Sequence, residues 1–208
     1  FVGGNFFFIL CLFILSYFNL NAECRNYCIT YSSDIYPQLT NFKLNDIIFG
    51  TNDVGWVIGD LGTIIKTTDG FYDSVINQES NTSEELLSIS LVSNDLLWIS
   101  GNNGIILKTT NGGDAWIQYN TNLTDNITSI DFANENVGWA IGSNGNILRT
   151  IDAGENWEIF PNTEFQGLKR ICVTDQNNAW AVGNNGKILK LSGLGLVIKG
   201  TINYFIHF

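Results

Sequence analysis

The sequence predicts an all-β fold, a β-propeller of four recognisable four-stranded blades, and three observations predict it. Trp56, Trp98, Trp139 and Trp180 recur at intervals of 42, 41 and 41 residues, and a fixed period near forty is the mark of a repeat architecture. Each Trp opens the same phrase: two small or apolar residues, then Gly-x-x-Gly-x-Ile-Ile/Leu-Lys/Arg. The segments around it are four to seven residues long, rich in β-branched and aromatic side chains, and bounded by Gly, Asn and Asp, which is the strand signal. No stretch carries sustained helical periodicity.

The elements follow in chain order. Phe6 to Leu20 is an apolar run ending in Leu20-Asn21-Ala22. It has the length of a secretory signal core and is short for a membrane span, so residues 1–22 are expected to be a cleaved leader and the remainder secreted or extracytoplasmic. The chain begins with Phe1 and contains no Met, as expected of a piece of a longer reading frame. Residues 23–32 form a linker in which Cys24 and Cys28 could close a small disulfide loop in an oxidising compartment. The repeats span 33–192, and 193–208 is a tail or a closing strand.

Unit one reads Leu44 to Phe49, Val54 to Gly59 and Gly62 to Thr67. Unit two has Leu86 to Val92, Leu97 to Ile99 and Gly104 to Thr109. Unit three has Ile127 to Phe132, Gly138 to Ile141 and Gly145 to Thr150. Unit four has Leu168 to Val173, Ala179 to Val182 and Gly186 to Lys190. Asn103-Gly104, Asn144-Gly145 and Asn185-Gly186 join second strands to third strands, and Asn-Gly supplies the positive φ angles of a type I′ hairpin. Leu61-Gly62 keeps only the Gly. Asp34-Ile35-Tyr36-Pro37 matches Glu158-Ile159-Phe160-Pro161 in register, so an N-terminal strand could complete the last blade. Val197-Ile198 competes for that place.

A second turn follows each third strand. Thr109-Thr110-Asn111-Gly112-Gly113-Asp114-Ala115-Trp116 and Thr150-Ile151-Asp152-Ala153-Gly154-Glu155-Asn156-Trp157 share Thr-x-Asp/Asn-x-Gly-x-x-Trp. The Asp or Asn accepts bonds from turn amides, Gly relieves the strained position, and Trp116 or Trp157 covers the turn. Unit one keeps Thr67 and Asp69 but has Phe71 and Ser74 at the Gly and Trp positions. Unit four has lost the pattern.

This eight-residue turn matches the Asp-box, or BNR repeat. The phrase from Gly138 to Trp157 resembles the repeat of the photosystem II assembly and stability factor family and its secreted bacterial relatives. The resemblance implies a propeller, usually of seven blades, so the chain is expected to be a four-bladed version or part of a larger one. It also implies a non-catalytic scaffold for a protein or glycan partner. The photosynthetic member carries a basic patch on its propeller face; at the equivalent channel-side position this chain has Asp46, Ser88, Ser129 and Arg170. Asp-box propellers include sialidases and endo-glycanases, which makes a glycoside-hydrolase-related domain the alternative.

Composition narrows these readings. The net charge is −10 with ten Lys and Arg in 208 residues, which disfavours phosphate-backbone recognition. The three arginines, Arg25, Arg149 and Arg170, cannot build a sialidase clamp, because Arg149 occupies the repeat position of Lys66, Lys108 and Lys190. A glycanase needs two facing carboxylates, and Asp46, Asp131 and Asp175 lie in or beside first strands, where turn capping and solvation are the ordinary roles. No catalytic residue, cofactor or metal ligand set is expected; Cys172 is read as a small buried hydrophobe. Trp56, Trp98, Trp139 and Trp180 are read as packing between blades, because a side chain needed in every blade serves architecture. Lys66, Lys108, Arg149, Arg170 and Lys190 are the candidate partner-binding residues, against the plainer reading that the row pairs with acidic turn neighbours.

Overall fold

The computed structural model describes residues 40–160, 166–192 and 197–199, the last three as backbone alone. The chain divides into two units, Phe1–Gln38 and Leu39–Phe208, and all described residues belong to the second. The leader, the Cys24/Cys28 linker and the strand candidate at Asp34–Pro37 lie outside them.

Among the described residues, four four-stranded antiparallel sheets follow one another, each with its strands in sequence order. Sheet one holds β1 (Leu44–Phe49), β2 (Gly55–Gly59), β3 (Ile64–Thr67) and β4 (Ile76–Gln78). Sheet two holds β5 (Leu86–Leu91), β6 (Leu97–Gly101), β7 (Ile105–Thr109) and β8 (Ile117–Asn120). Sheet three holds β9 (Ile127–Phe132), β10 (Gly138–Gly142), β11 (Ile147–Thr150) and β12 (Glu158–Phe160). Sheet four holds β13 (Leu168–Val173), β14 (Asn178–Gly183), β15 (Ile188–Ser192) and β16 (Val197–Lys199). Its outer strand therefore comes from the segment after the last repeat phrase. This is the blade architecture of a β-propeller.

First strands pack on first strands, β1 against β5, β5 against β9, and β9 against β13. Each carries a register shift near its start, at Leu44/Asp46, Leu86/Ser88 and Leu168/Arg170, with the equivalent shift in sheet three lying opposite Ile141/Gly142. Such a bulge re-aims the residue that follows it. At three of the four positions that residue accepts a bond from the next sheet. Ile89 N–H donates to Asp46 Oδ2 at 3.1 Å, Ile130 N–H to Ser88 Oγ at 3.4 Å, and Ile171 N–H to Ser129 Oγ at 3.2 Å.

Apolar side chains fill the seams between sheets. Trp56, Ile58 and Ile64 meet Ile89, Ile99 and Leu107 between sheets one and two. Trp98 and Ile106 meet Ile130, Ala140 and Leu148 between two and three, and Trp139 and Ile147 meet Ile171, Ala181 and Leu189 between three and four. Trp56 and Trp98 are 0 % exposed and Trp139 3 %. Trp180 departs from the expectation that all four pack between blades: it is 40 % exposed, with Val182 beside it at 46 %. The reason is positional. Its face is the last in the series, and among the described residues no apolar cluster joins sheet four to sheet one. At the other end Ile47 is 55 % and Phe49 42 % exposed, while Val57 and Ile65 are buried.

The hairpins divide into two kinds. Leu61, Asn103 and Asn185 have φ of 54°, 53° and 58°, each followed by a Gly at 62, 104 or 186 that is also at positive φ, as a type I′ turn demands. Leu61 takes this conformation without the Asn side chain that makes it cheap. Sheet three corrects the sequence reading: Gly145 is at φ 95° but Asn144 is not in the left-handed region, and Gly145 N–H closes the turn onto Gly142 O at 3.1 Å. Buried Asp125 holds this turn in its different form. It accepts from Asn144 N–H, from the Asn144 side-chain amide, and from Asn146 Nδ2 at 2.6 Å.

Candidate functional site

The second turns are built as side-chain cages. Thr67 Oγ1 donates to Asp69 Oδ1 at 3.0 Å, and Asp69 accepts the amides of Tyr72, Asp73 and Ser74 at 3.1, 2.9 and 2.7 Å. Asn111 repeats this with Thr109 and the Ala115 amide, and Asp152 with Thr150 and the Asn156 amide. Hydrogen bonds to the charged form hold a carboxyl below its ordinary range. The Asn156 amides lead this effect at Asp152, followed by Thr150. At Asp69 desolvation pulls the other way and is outweighed by Asp73, Thr67 and Ser74. These three residues are turn architecture. Trp116 is buried at 6 % exposure, whereas Trp157 is half-buried with its ring edge-on to Trp98 at 6.3 Å.

The cationic row lies over the tryptophan row. Strand pairing puts Trp56 opposite Lys66, Trp98 opposite Lys108, Trp139 opposite Arg149 and Trp180 opposite Lys190. The cations sit 5.4, 4.7, 5.2 and 5.8 Å from the ring centroids, within cation–π range. Lys66 Nζ also donates to Gly112 O and Lys108 Nζ to Ala153 O, both at 2.9 Å. Those carbonyls belong to the second turn of the following sheet. Lys66 and Lys108 thus clamp two of the seams. The acceptors of Lys66 and Lys108 are backbone carbonyls, and these two lysines are spent within the fold, whereas Lys190 lies within electrostatic reach of Asp175.

Arg170 is different. It occupies the post-bulge position held by Asp46, Ser88 and Ser129, but a guanidinium cannot accept a bond. Its side chain is 54 % exposed, and Nη1 lies 3.6 Å from Asp46 Oδ2. Lys169 beside it is exposed.

The first-strand acids hold backbone. Asp46 takes the Ile89 amide, and Asp131 takes Val173 N–H at 2.7 Å, Phe132 N–H at 3.0 Å and Ser90 Oγ at 3.2 Å. Burial pushes the Asp131 carboxyl above its ordinary range despite these bonds. Asp175 accepts the Asn177 and Asn178 amides at 2.8 and 2.9 Å, and with the Asn178 side chain these hold it low. Cys172 corrects its expected burial: it is exposed, paired across β13–β14 with Trp180, on a side that no apolar cluster covers among the described residues. Among the described residues no three His, Cys, Asp or Glu gather as a metal site. The sequence reading missed Asp125; its signal was the pair Asn144 and Asn146 flanking Gly145.

Comparison with known proteins accords with this geometry. The family model described as photosynthesis system II assembly factor YCF48 matches residues 35–123 and 122–192. No curated protein sequence matches the chain. Among solved structures, YCF48 bound to D1 peptide superposes with a TM-score of 0.59 at 25 % identity, over 74 % of this chain and 51 % of that one. YCF48 from Cyanidioschyzon merolae gives 0.61 at 19 %, over 79 % and 57 %. An ancestral GH74 enzyme gives 0.60 at 15 %, over 76 % and 24 %, a likeness of fold. The chain spans about half the length of the two YCF48 structures. With the repeat, the four sheets and the family match in agreement, this chain belongs to the photosynthesis system II assembly factor YCF48 family.

Proposed function

We propose that the chain is a non-catalytic, exported scaffold of the photosystem II assembly factor type, holding a protein segment against the first strand of its fourth sheet. Arg170 carries this reading. It is more than half exposed, it breaks the acceptor series of its row, and its contact with Asp46 at 3.6 Å is loose enough for a partner carboxylate to replace. Arginine binds carboxylates in a paired geometry that suits that exchange. A YCF48 structure is of a complex with a D1 peptide, which supports a peptide as the class of ligand. The aligned acids support a scaffold over a hydrolase, since Asp46, Asp131 and Asp175 each hold backbone amides.

Fluorescence anisotropy with labelled D1 peptide tests the reading. Arg170→Ala should weaken binding by about tenfold, the worth of one charge-assisted contact of ~1.5 kcal/mol. Equal affinity of the variant, or no binding by the native chain, would remove the proposal. Turnover on a glucan panel, lost in Asp131→Asn, would put the hydrolase reading in its place. Export is read from the mature N-terminus by mass spectrometry, with a start near Glu23 expected.

A further inference from the structure

Among the described residues two ion pairs form, and they differ in kind. Lys43 Nζ meets Glu85 Oε1 at 2.9 Å, within hydrogen-bond length. Arg170 Nη1 stands 3.6 Å from Asp46 Oδ2, held by charge without a hydrogen bond. The two members of this second pair are also unequally fixed. Asp46 is tied down: Oδ2 accepts the Ile89 amide at 3.1 Å, Oδ1 accepts the Ile47 amide at 3.0 Å, and its side chain is 21 % exposed. Arg170 has 54 % of its side chain in water, at the end of a long stem. The cation is therefore the partner that moves, and the carboxylate stays where the two amides keep it.

The joint that Asp46 makes does not need its charge. Ser88 and Ser129 stand at the same position of sheets two and three and hold the Ile130 and Ile171 amides with neutral hydroxyls, at 3.4 and 3.2 Å. Asp46 performs that task with a full negative charge, set against the one cation of the row. An acid alone is a poor occupant of such a place. It would draw Arg170 away, leave a largely buried carboxylate without its counter-charge, and bring a second negative charge beside it. With a net charge of −10, the rest of the chain does not offset that cost. A ligand that carries an acidic and a basic side chain together has neither defect.

We infer that the Asp46–Arg170 pair is a charge-exchange site for a dipolar peptide segment: an acidic side chain of the ligand takes Arg170 while a neighbouring basic side chain takes Asp46. This rests on Arg170 as the carboxylate receptor proposed above and adds the second half of the ligand. The Ile89 and Ile47 amides keep Asp46 oriented in both states, so the exchange asks only the guanidinium to move.

The test titrates the whole nitrogen-15-labelled chain with three capped tripeptides, Glu-Gly-Lys, Glu-Gly-Gln and Gln-Gly-Lys, followed by nuclear magnetic resonance at the Arg170 Nε–H and the Ile89 amide. Glu-Gly-Lys should bind about two- to fivefold more tightly than Glu-Gly-Gln, the worth of one exposed ion pair, and should shift both resonances. Asp46→Ser retains a hydroxyl acceptor for Ile89, as Ser88 and Ser129 do for their amides, and should erase the preference by tightening Glu-Gly-Gln. Asp53→Ser removes the same charge from an exposed turn and should leave the preference intact. Equal affinities for the two Glu probes in the native chain, or a preference that survives Asp46→Ser, would overturn the inference and leave Arg170 as a carboxylate receptor. Loss of the preference in Asp53→Ser would assign it to net charge and overturn the inference too. No shift at Arg170 with any probe would remove the receptor and the exchange together.

Discussion

Replacing Gly154 by Ala is the sharpest probe of seam packing. At φ 81° an L-residue meets a left-handed penalty of about 1–2 kcal/mol. The new Cβ would also lie 2.4 Å from Trp98 Cη2 and 2.8 Å from Cζ3. That indole has little room to retreat, because it is fully buried, stacked on Phe132 and edge-on to Trp157. Overpacking of this kind costs about 1–3 kcal/mol. The sum, about 2–5 kcal/mol, corresponds to a fall in Tm of roughly 5–15 °C for a domain of this size. Gly112→Ala is the control. Its φ is 66°, its nearest neighbours would be Asn94 O and Lys66 Nζ at 3.1 Å, and the equivalent position in sheet three already holds Ala153 at φ 58°. It should lose only the backbone part, about 1 kcal/mol. Thermal unfolding followed by far-ultraviolet circular dichroism gives both values. Equal losses for the two variants would show that the indole does not occupy the turn slot, and the seam argument would fail.

Other outcomes follow from the same geometry. Trp98→Ala should cost about 3–5 kcal/mol in urea unfolding, and Trp180→Ala less than half of that, because Trp180 keeps 40 % of its surface in water. Ser129→Ala leaves the buried Ile171 amide without its acceptor and should cost about 1–3 kcal/mol, whereas Thr110→Ala, at an exposed site, should not register in the same assay. Asp152 has a folded pKa below its ordinary 3.8, so its stabilisation is present above the unfolded pKa and is lost as pH falls through the folded one. Asp152→Asn, which imitates Asn111, should match the native Tm at pH 7 and fall less steeply below about pH 4. Asp131 has the opposite sign: burial raises its folded pKa, so its ionised form opposes folding and that opposition is relieved on acidification towards the unfolded value. Asp131→Asn should therefore lack the gain in Tm, relative to its own value at about pH 7, that the native chain shows as pH falls towards the unfolded value.

The first three strands of each sheet and the caging Thr, Asp and Asn of the second turns were legible in the sequence because these depend on local pattern and on period, whereas the outer strands Ile76–Gln78 and Val197–Lys199, which lack the repeat phrase, were not assigned. Trp180 was not, because its burial is decided by whether another sheet faces it, and a repeated phrase is the same at the end of a series as in its middle. The acceptors of Lys66 and Lys108 were not legible for a related reason: they lie 46 and 45 residues away, in backbone carbonyls that side-chain chemistry does not advertise. Asn144 was assigned the turn of its sister hairpins, yet Asp125, 19 residues earlier, captures both its amides. The sequence pointed to Arg170 by its oddity in the row. Its place against Asp46, with half its side chain open, depends on the fold.

Because the Trp and cation come from one sheet and the carbonyl and Gly from the next, the structural unit is the joint and not the repeat. A gene rearrangement that adds or drops one whole period of 41 or 42 residues rebuilds a complete joint wherever it cuts. One that changes the period by a few residues mismatches two partners at once. Such a molecule can vary its number of blades over evolutionary time more readily than the length of any one of them.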